Sequence, residues 1–178
     1  MGQPQVKIVP TIELDRKVGQ ALVGILTDDM KRVVREQRLG FVATVCADGT
    51  PNLSPKGTTA VWGDEHLVFA DIRSPGTVAN LRRNPAVEVN VVDPILRKGY
   101  RFKGTAEILS EGALFEELFD FYRQDPRIHR IVLIKVKEAL PLISPAYDQG
   151  MTEDQVRARF ESWYASLRGA KSGETPDE

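Results

Sequence analysis

The feature that most constrains the fold is a series of short strand-like runs separated by tight-turn signals. Asp48-Gly49 separates an apolar run over 39–47 from a second run over 52–61, which is the pattern of a β-hairpin. Further strand-like runs cover 67–71, 86–92, 100–109 and 130–137. Six strands joined mostly by short turns predict one antiparallel sheet, and such a sheet tends to curl and close. The expected fold class is mainly β: a small six-stranded antiparallel β-barrel with peripheral helices.

Helical patterns flank and interrupt these strands. Thr27-Asp28-Asp29 opens a predicted helix that runs to about Gln37, and a short helix is predicted over 74–83. Ser110 is the expected cap of a helix that ends near Arg123, and residues 138–151 are expected to form a loop. Thr152-Glu153-Asp154-Gln155 matches a capping box before a helix to about Leu167. We expect one domain over 1–168, with an extended N-terminal arm, a weakly amphipathic segment over 13–26 and a flexible tail over 169–178.

Composition narrows the function classes. The net charge is −1, so we expect no broad electrostatic surface for nucleic acid. No window approaches the roughly 18 continuous apolar residues of a membrane helix, and the N-terminus lacks the apolar core of a signal peptide. Cys46 is the single cysteine, which excludes an internal disulfide, and we expect a buried thiol within a strand. These properties are typical of a soluble cytoplasmic protein.

The segment 69–85 changes from a strand into a helix whose start is rich in small polar residues. Ser74 suits the N-cap position and Pro75 the first helical position, while Gly76 has no side chain to cover the free backbone N–H groups. A strand that leads into such a helix start is typical of a phosphate-binding site. The same pattern also describes an ordinary capped helix, and the segment by itself favours that simpler interpretation.

The second predicted strand is unusual because Pro55 removes one hydrogen bond of its ladder. Lys56 and Gly57 follow, so that a cation and a bare stretch of backbone could approach a ligand. The alternative is a solvated lysine on a kinked edge strand. If strands two and three form a hairpin, Lys56 faces the start of the 74–83 helix, and the two segments together form a candidate anion site. His66 and His129 lack metal-ligand spacing, and we expect both to be surface residues.

These segments, in their order along the chain, resemble one known family. Gly40-Phe41-Val42-Ala43-Thr44-Val45 precedes Asp48-Gly49-Thr50-Pro51-Asn52 and Leu53-Ser54-Pro55-Lys56-Gly57. Leu67-Val68-Phe69-Ala70-Asp71, Ser74-Pro75-Gly76-Thr77 and Asn80-Leu81-Arg82-Arg83-Asn84-Pro85 follow. The series, over about 28–109, resembles the pyridoxamine 5'-phosphate oxidase-like family of FMN-binding split β-barrel proteins.

The resemblance implies a homodimer with an FMN site at the subunit interface. It implies a place near the flavin for Lys56, and it implies that the cofactor phosphate and ribityl chain lie along the third strand's end and the following helix. The implied cofactor-binding residues are Ser54, Lys56, Gly57, Ala70, Asp71, Ser74, Thr77 and Asn80.

The chain differs from the true oxidases of the family at the start of this helix. Gly76-Thr77 stand where those enzymes carry an Arg-Lys pair. The resemblance is therefore closer to the flavin-nucleotide-binding branch. It implies an FMN-dependent oxidoreductase that accepts electrons from a nicotinamide, a deazaflavin or a protein, or alternatively a flavin-nucleotide-binding protein without turnover. No acid, base or nucleophile of the chain is assigned to catalysis.

Overall fold

A computed structural model describes residues 24–169 as four helices and one antiparallel sheet of seven strands. The helices are α1 (Asp28–Gln37), α2 (Pro75–Arg83), α3 (Ala113–Phe121) and α4 (Glu153–Gly169). The strands are β1 (Gly40–Val45), β2 (Pro51–Lys56), β3 (Ala60–Trp62), β4 (His66–Asp71), β5 (Ala86–Asp93), β6 (Lys98–Leu109) and β7 (Arg130–Ile143). The predicted N-terminal arm, most of the 13–26 segment and the tail beyond 169 lie outside the described residues. No helix within 24–169 has the length and apolar character needed to cross a lipid bilayer.

The sheet runs in the order β2-β1-β5-β6-β7-β4-β3, so its two edge strands are β2 and β3. The mainly β antiparallel class is confirmed. The detail of a six-stranded barrel is not confirmed, because the sheet has seven strands and, over the described residues, no ladder joins its edges. Only residues 57–59 connect the two edge strands, a span of at most roughly 14 Å. The sheet must therefore curl until its edges are close together.

The missing strand of the prediction comes from the run over 52–61, which is two strands rather than one. β2 pairs with β1, whereas β3 pairs with β4 at the opposite edge. The chain turns between them, where the hydroxyl and the backbone N–H of Thr59 both donate to the carbonyl oxygen of Lys56, at 2.8 and 3.3 Å. Lys56 is thus the last residue of β2, and it does not belong to the hairpin that was predicted for strands two and three.

Two apolar clusters hold the sheet, one on each face of β4 and β7. The larger cluster lies inside the curl and includes Phe69, Phe102 and the inward valines of β5, with α1 packed over it. The smaller one lies under α3 and includes Val68, Leu118 and Ile131. Because β4 and the first part of β7 are covered on both faces, their sequences there are nearly continuous apolar runs rather than alternating ones.

Most helix starts were predicted correctly from local sequence signals. Thr27 caps α1 by accepting the N–H of Met30, and Thr152 and Gln155 exchange the two hydrogen bonds of the predicted capping box at the start of α4. The cap assigned to Ser110 is wrong: α3 begins only after Gly112, which has a φ of 94° and no side-chain cap.

The predicted loop over 138–151 is wrong as far as Ile143, because β7 continues to that residue. β6 is long enough to pair with the whole of β7, from Leu109 opposite Ile131 to Lys98 opposite Ile143. β4 pairs only with the first part of β7, so Pro141 lies where one side of β7 has no neighbouring strand among residues 24–169. A proline is tolerated there because its missing N–H removes no ladder bond.

Candidate functional site

The centre of the candidate site is the ammonium group of Lys56, whose residue is only 5% exposed. Its Nζ donates to Ser54 Oγ at 2.5 Å and to Ser74 Oγ at 2.7 Å. It also lies 5.8 Å from the ring centroid of Phe69, at the outer limit of a cation–π contact. Burial lowers the pKa of Lys56, while the nearby carboxylate of Asp71 opposes that shift. Lys56 and the start of the 74–83 helix, which were predicted to meet, are in contact here, although the predicted hairpin is absent.

Ser74 occupies the N-cap position of α2, with Pro75 after it, as predicted. Its hydroxyl does not cap the helix, however, and accepts a hydrogen bond from Lys56. The first intrahelical bond runs from Val78 N to Ser74 O, so the amides of Gly76 and Thr77 have no carbonyl of the helix to bind. An added Cβ at Gly76 would meet no atom of the described residues within 4 Å, so this part of the chain leaves the helix start open. Helix N–H groups therefore lie next to a buried cation.

The loop after Lys56 forms the opposite wall of a cleft of about 350 Å³. Thr58 Oγ1 accepts the N–H of Ala70 at 3.0 Å and donates to the carbonyl oxygen of the same residue at 3.2 Å, which fixes this loop to the end of β4. Gly57 is exposed and open on its Cβ side. The cleft lining consists of Ser54, Pro55, Lys56, Gly57, Thr58, Ala70, Ile72, Arg73 and Ser74.

Five of the predicted site residues line this cleft, namely Ser54, Lys56, Gly57, Ala70 and Ser74. Two of its residues with polar side chains, Thr58 and Arg73, were missed by the sequence analysis. Their position next to Gly57 and Ser74 was the available signal, because residues adjacent to a binding turn often share its wall. Arg73 adds a second, exposed cation to the cleft mouth.

Asp71 does not line the cleft, but it contacts the turn that carries Ser74. Its carboxylate accepts the backbone N–H of Ser74 at 3.0 Å and lies 3.6 Å from the guanidinium of Arg130. The side chain of Asp71 is 7% exposed, so these contacts replace the water that it loses. Asp71 therefore orients the turn that presents Ser74 to Lys56.

The other two predicted residues, Thr77 and Asn80, are buried along α2 and do not line the cleft. Asn80 donates to Thr44 Oγ1 at 3.1 Å and accepts from Arg83 at 2.9 Å, so it joins the helix to β1. Its amide also lies 3.6 Å from the sulfur of Cys46, which follows β1 and is half-buried rather than buried within a strand.

The arrangement suits a phosphorylated anion. Within residues 24–169, the lining of the cleft carries two cations, two serine hydroxyls and exposed backbone, while its nearest carboxylate, Asp71, is held by Ser74 and Arg130. No group of three His, Cys, Asp or Glu side chains in that range could hold a metal ion.

A second cavity, of about 390 Å³, lies between α1 and α4 and differs in chemistry. Its charged side chains are largely paired with one another: Arg32 with Asp29 and Glu36, and Lys98 with Glu153. The hydroxyl of Tyr100 donates to Asp29 at 2.5 Å. Because these charged groups bind one another, few of them are available to bind an anion in this cavity.

Comparison with known proteins gives the family of the chain. The family model for pyridoxamine 5'-phosphate oxidase matches residues 26–140, which include both walls. Among functionally curated proteins, none matches the sequence.

Solved structures share the fold. HupZ of Group A Streptococcus is 34% identical, with a TM-score of 0.62, over 66% of this chain and 94% of that one. A putative pyridoxamine 5'-phosphate oxidase of Lactobacillus delbrueckii is 23% identical, with a TM-score of 0.59, over 65% and 93% of the two chains. An F420 reductase is 25% identical, with a TM-score of 0.51, over 64% and 98%. Since the family model spans well over half of the sequence, the chain belongs to the pyridoxamine 5'-phosphate oxidase family.

Proposed function

We propose that this chain is an FMN-binding oxidoreductase that holds the cofactor phosphate in the cleft between Lys56 and the start of α2. One observation carries the proposal: a buried ammonium group is held between two serine hydroxyls, beside helix N–H groups that no side chain of residues 24–169 caps. A similar structure from Syntrophomonas wolfei is described as an FMN-binding protein, and the F420 reductase extends the fold to another flavin-type cofactor.

The residues present fit such a group. Lys56, Ser74 and Arg73 would bind the phosphate, and the amides of Gly76 and Thr77 would complete its shell. Gly57 and Ala70 offer a wall without bulky side chains to the remainder of the cofactor. The bound flavin would supply the redox chemistry, so the role of this chain is to bind, orient and exclude water.

A comparison of FMN with riboflavin tests the proposal, because only FMN carries the phosphate. Quenching of flavin fluorescence should show FMN bound at one equivalent per chain and riboflavin bound at least tenfold more weakly. Equal affinity for the two compounds would refute a phosphate site in this cleft. A chain that binds neither compound would refute the proposal as a whole.

We extend the proposal to a homodimer that forms through the outer face of the sheet. A row across this face places Phe41 of β1, Asn90 of β5, Arg101 of β6 and Leu140 of β7 side by side. Phe41 and Leu140 are each 41% exposed, and Leu53 of β2 is 66% exposed. Exposed apolar side chains concentrated on one sheet face are typical of a subunit contact.

This face borders the cleft, because Pro55 lies next to Phe41 on the sheet and also lines the cleft wall. A second subunit on it would cover the bound cofactor. Leu53→Glu should shift the protein from dimer to monomer in sedimentation equilibrium, whereas Glu107→Gln on β6 should not. A wild-type protein that is monomeric at high micromolar concentration would refute the dimer.

The alternative is a protein that binds FMN without turnover. It is favoured by the cleft lining, in which Lys56 and Arg73 are the only titratable side chains among the described residues. Anaerobic addition of reduced nicotinamide separates the two functions. Bleaching of the bound flavin by reduced nicotinamide or by reduced deazaflavin supports the oxidoreductase, and a complex that stays yellow with both donors supports the binding protein.

A further inference from the structure

A tyrosine outside the cleft binds the loop that follows Lys56. The hydroxyl of Tyr122, at the end of α3, donates to the backbone carbonyl of Thr58 at 2.8 Å. Thr58 in turn binds both backbone groups of Ala70 through its own hydroxyl. Tyr122 is 64 residues from Thr58 along the chain, so the contact is purely tertiary.

The two residues after Tyr122 have backbone conformations that are unfavourable for their residue types. Arg123 and Gln124 both adopt left-handed conformations, with φ of 58° and 52°, although neither is glycine. Their amides bind the carbonyls of Asp120 and Phe119, which closes the end of α3. Non-glycine residues in this region cost free energy and persist only where the surrounding structure requires them.

From this geometry we infer that Tyr122 is a positioning residue for the phosphate site, acting through Thr58 to hold the Lys56 ammonium in place. The inference rests on the proposed function. The path is continuous: Tyr122 fixes the carbonyl of Thr58, Thr59 fixes the carbonyl of Lys56, and the side chain of Lys56 reaches Ser54 and Ser74. Tyr122 itself does not line the cleft.

The tyrosine suits this role because it stays a donor. Burial raises the pKa of the Tyr122 hydroxyl, so it remains protonated at physiological pH. Its ring also packs edge-on against Phe121, with centroids 5.0 Å apart. Tyr122→Phe therefore removes one hydrogen bond and leaves the packing of the ring intact.

A matched control exists at the far end of β6. Tyr147 donates its hydroxyl to the carbonyl of Leu96 at 2.7 Å, the same type of bond at nearly the same length. Leu96 precedes the Lys98 end of β6, whereas the cleft lies near its Leu109 end. Tyr147→Phe should therefore lower stability to a similar extent without any effect on the cleft.

The first arm of the test uses the protein without cofactor. The Ala70 N–H is protected by Thr58, so its hydrogen exchange reports whether the loop is held. Tyr122→Phe should accelerate exchange at Ala70 by roughly 2- to 10-fold, and Tyr147→Phe should leave it unchanged. Exchange at Ala70 that is equal in both variants and the wild type would overturn the inference.

The second arm measures FMN affinity in a double-mutant cycle with Lys56→Met. Tyr122→Phe should weaken FMN binding roughly 3- to 10-fold in the wild-type background and less than about twofold once Lys56 is replaced. Equal losses in the two backgrounds would overturn the inference, since Tyr122 would not act through Lys56. If the wild type binds no FMN, the proposed function fails, and the Ala70 exchange still decides whether Tyr122 holds the loop.

Discussion

Replacement of Lys56 by methionine should separate binding from stability. Methionine keeps most of the length and shape of the side chain and removes the charge. A charged group that binds phosphate contributes roughly 1.5–3 kcal/mol, so the variant should bind FMN roughly 10- to 150-fold more weakly. Burial opposes the charged form of Lys56, so the same substitution should leave the unfolding free energy unchanged or raise it.

Weaker FMN binding without any loss of unfolding free energy is the specific result expected from a lysine that serves binding. FMN affinity is measured by fluorescence quenching, and unfolding free energy by urea titration without cofactor. Lys135→Met is the control, because that side chain is 63% exposed on β7 and, within the described part of the chain, its one ion pair is with Glu65 at 3.9 Å. A Lys56→Met variant that unfolds more easily yet binds FMN normally would show that the ammonium serves the fold, and the reasoning would be refuted.

Three further predictions follow from the same contacts. Ser74→Ala should weaken FMN binding by about tenfold and more than Thr77→Ala does, because only Ser74 lines the cleft; equal losses in fluorescence titrations would place the phosphate further along α2. Gly40→Ala should lower the unfolding free energy by roughly 1–3 kcal/mol, as its Cβ would lie 2.5 Å from the hydroxyl of Thr59. The pKa of Lys56 in the folded protein is lowered, and between this lowered pKa and the ordinary value of 10.5 the unfolded chain binds more protons than the folded one. The unfolding free energy, measured by urea titration, should therefore rise with pH across this window relative to Lys56→Met.

The parts of the fold that follow from local chemistry could be predicted from the sequence. Thr27 and Thr152 cap their helices as their side chains suggest, and Asp48-Gly49 joins β1 to β2. The predicted cap at Ser110 failed for a local reason as well, since Gly112 provides a backbone conformation that a serine rarely adopts. Such signals act over a few residues and need no knowledge of the remaining chain.

Features that depend on distant partners could not be predicted in the same way. β7 extends to Ile143 because the whole of β6 pairs with it, and periodicity in β7 alone does not reveal that partner. Ser74 holds the N-cap position but gives its hydroxyl to Lys56, a residue 18 positions away. A sequence pattern identifies the residue type that suits a position, and the tertiary structure decides which partner that residue binds.

The split of the predicted second strand is a local feature that decides which distant residues meet. Had 52–61 been one continuous strand, Lys56 would lie in the middle of a ladder, and its side chain would reach only its strand neighbours. The turn over 57–59 instead ends β2 at Lys56 and carries the chain to the opposite edge of the sheet. Since so few residues link the two edges, the same turn forces the sheet to curl and brings Lys56 to the helix start after β4. The curling of the sheet and the assembly of the anion site therefore depend on the same three residues, which is why a substitution at Gly40 that displaces Thr59 should reduce both stability and cofactor affinity.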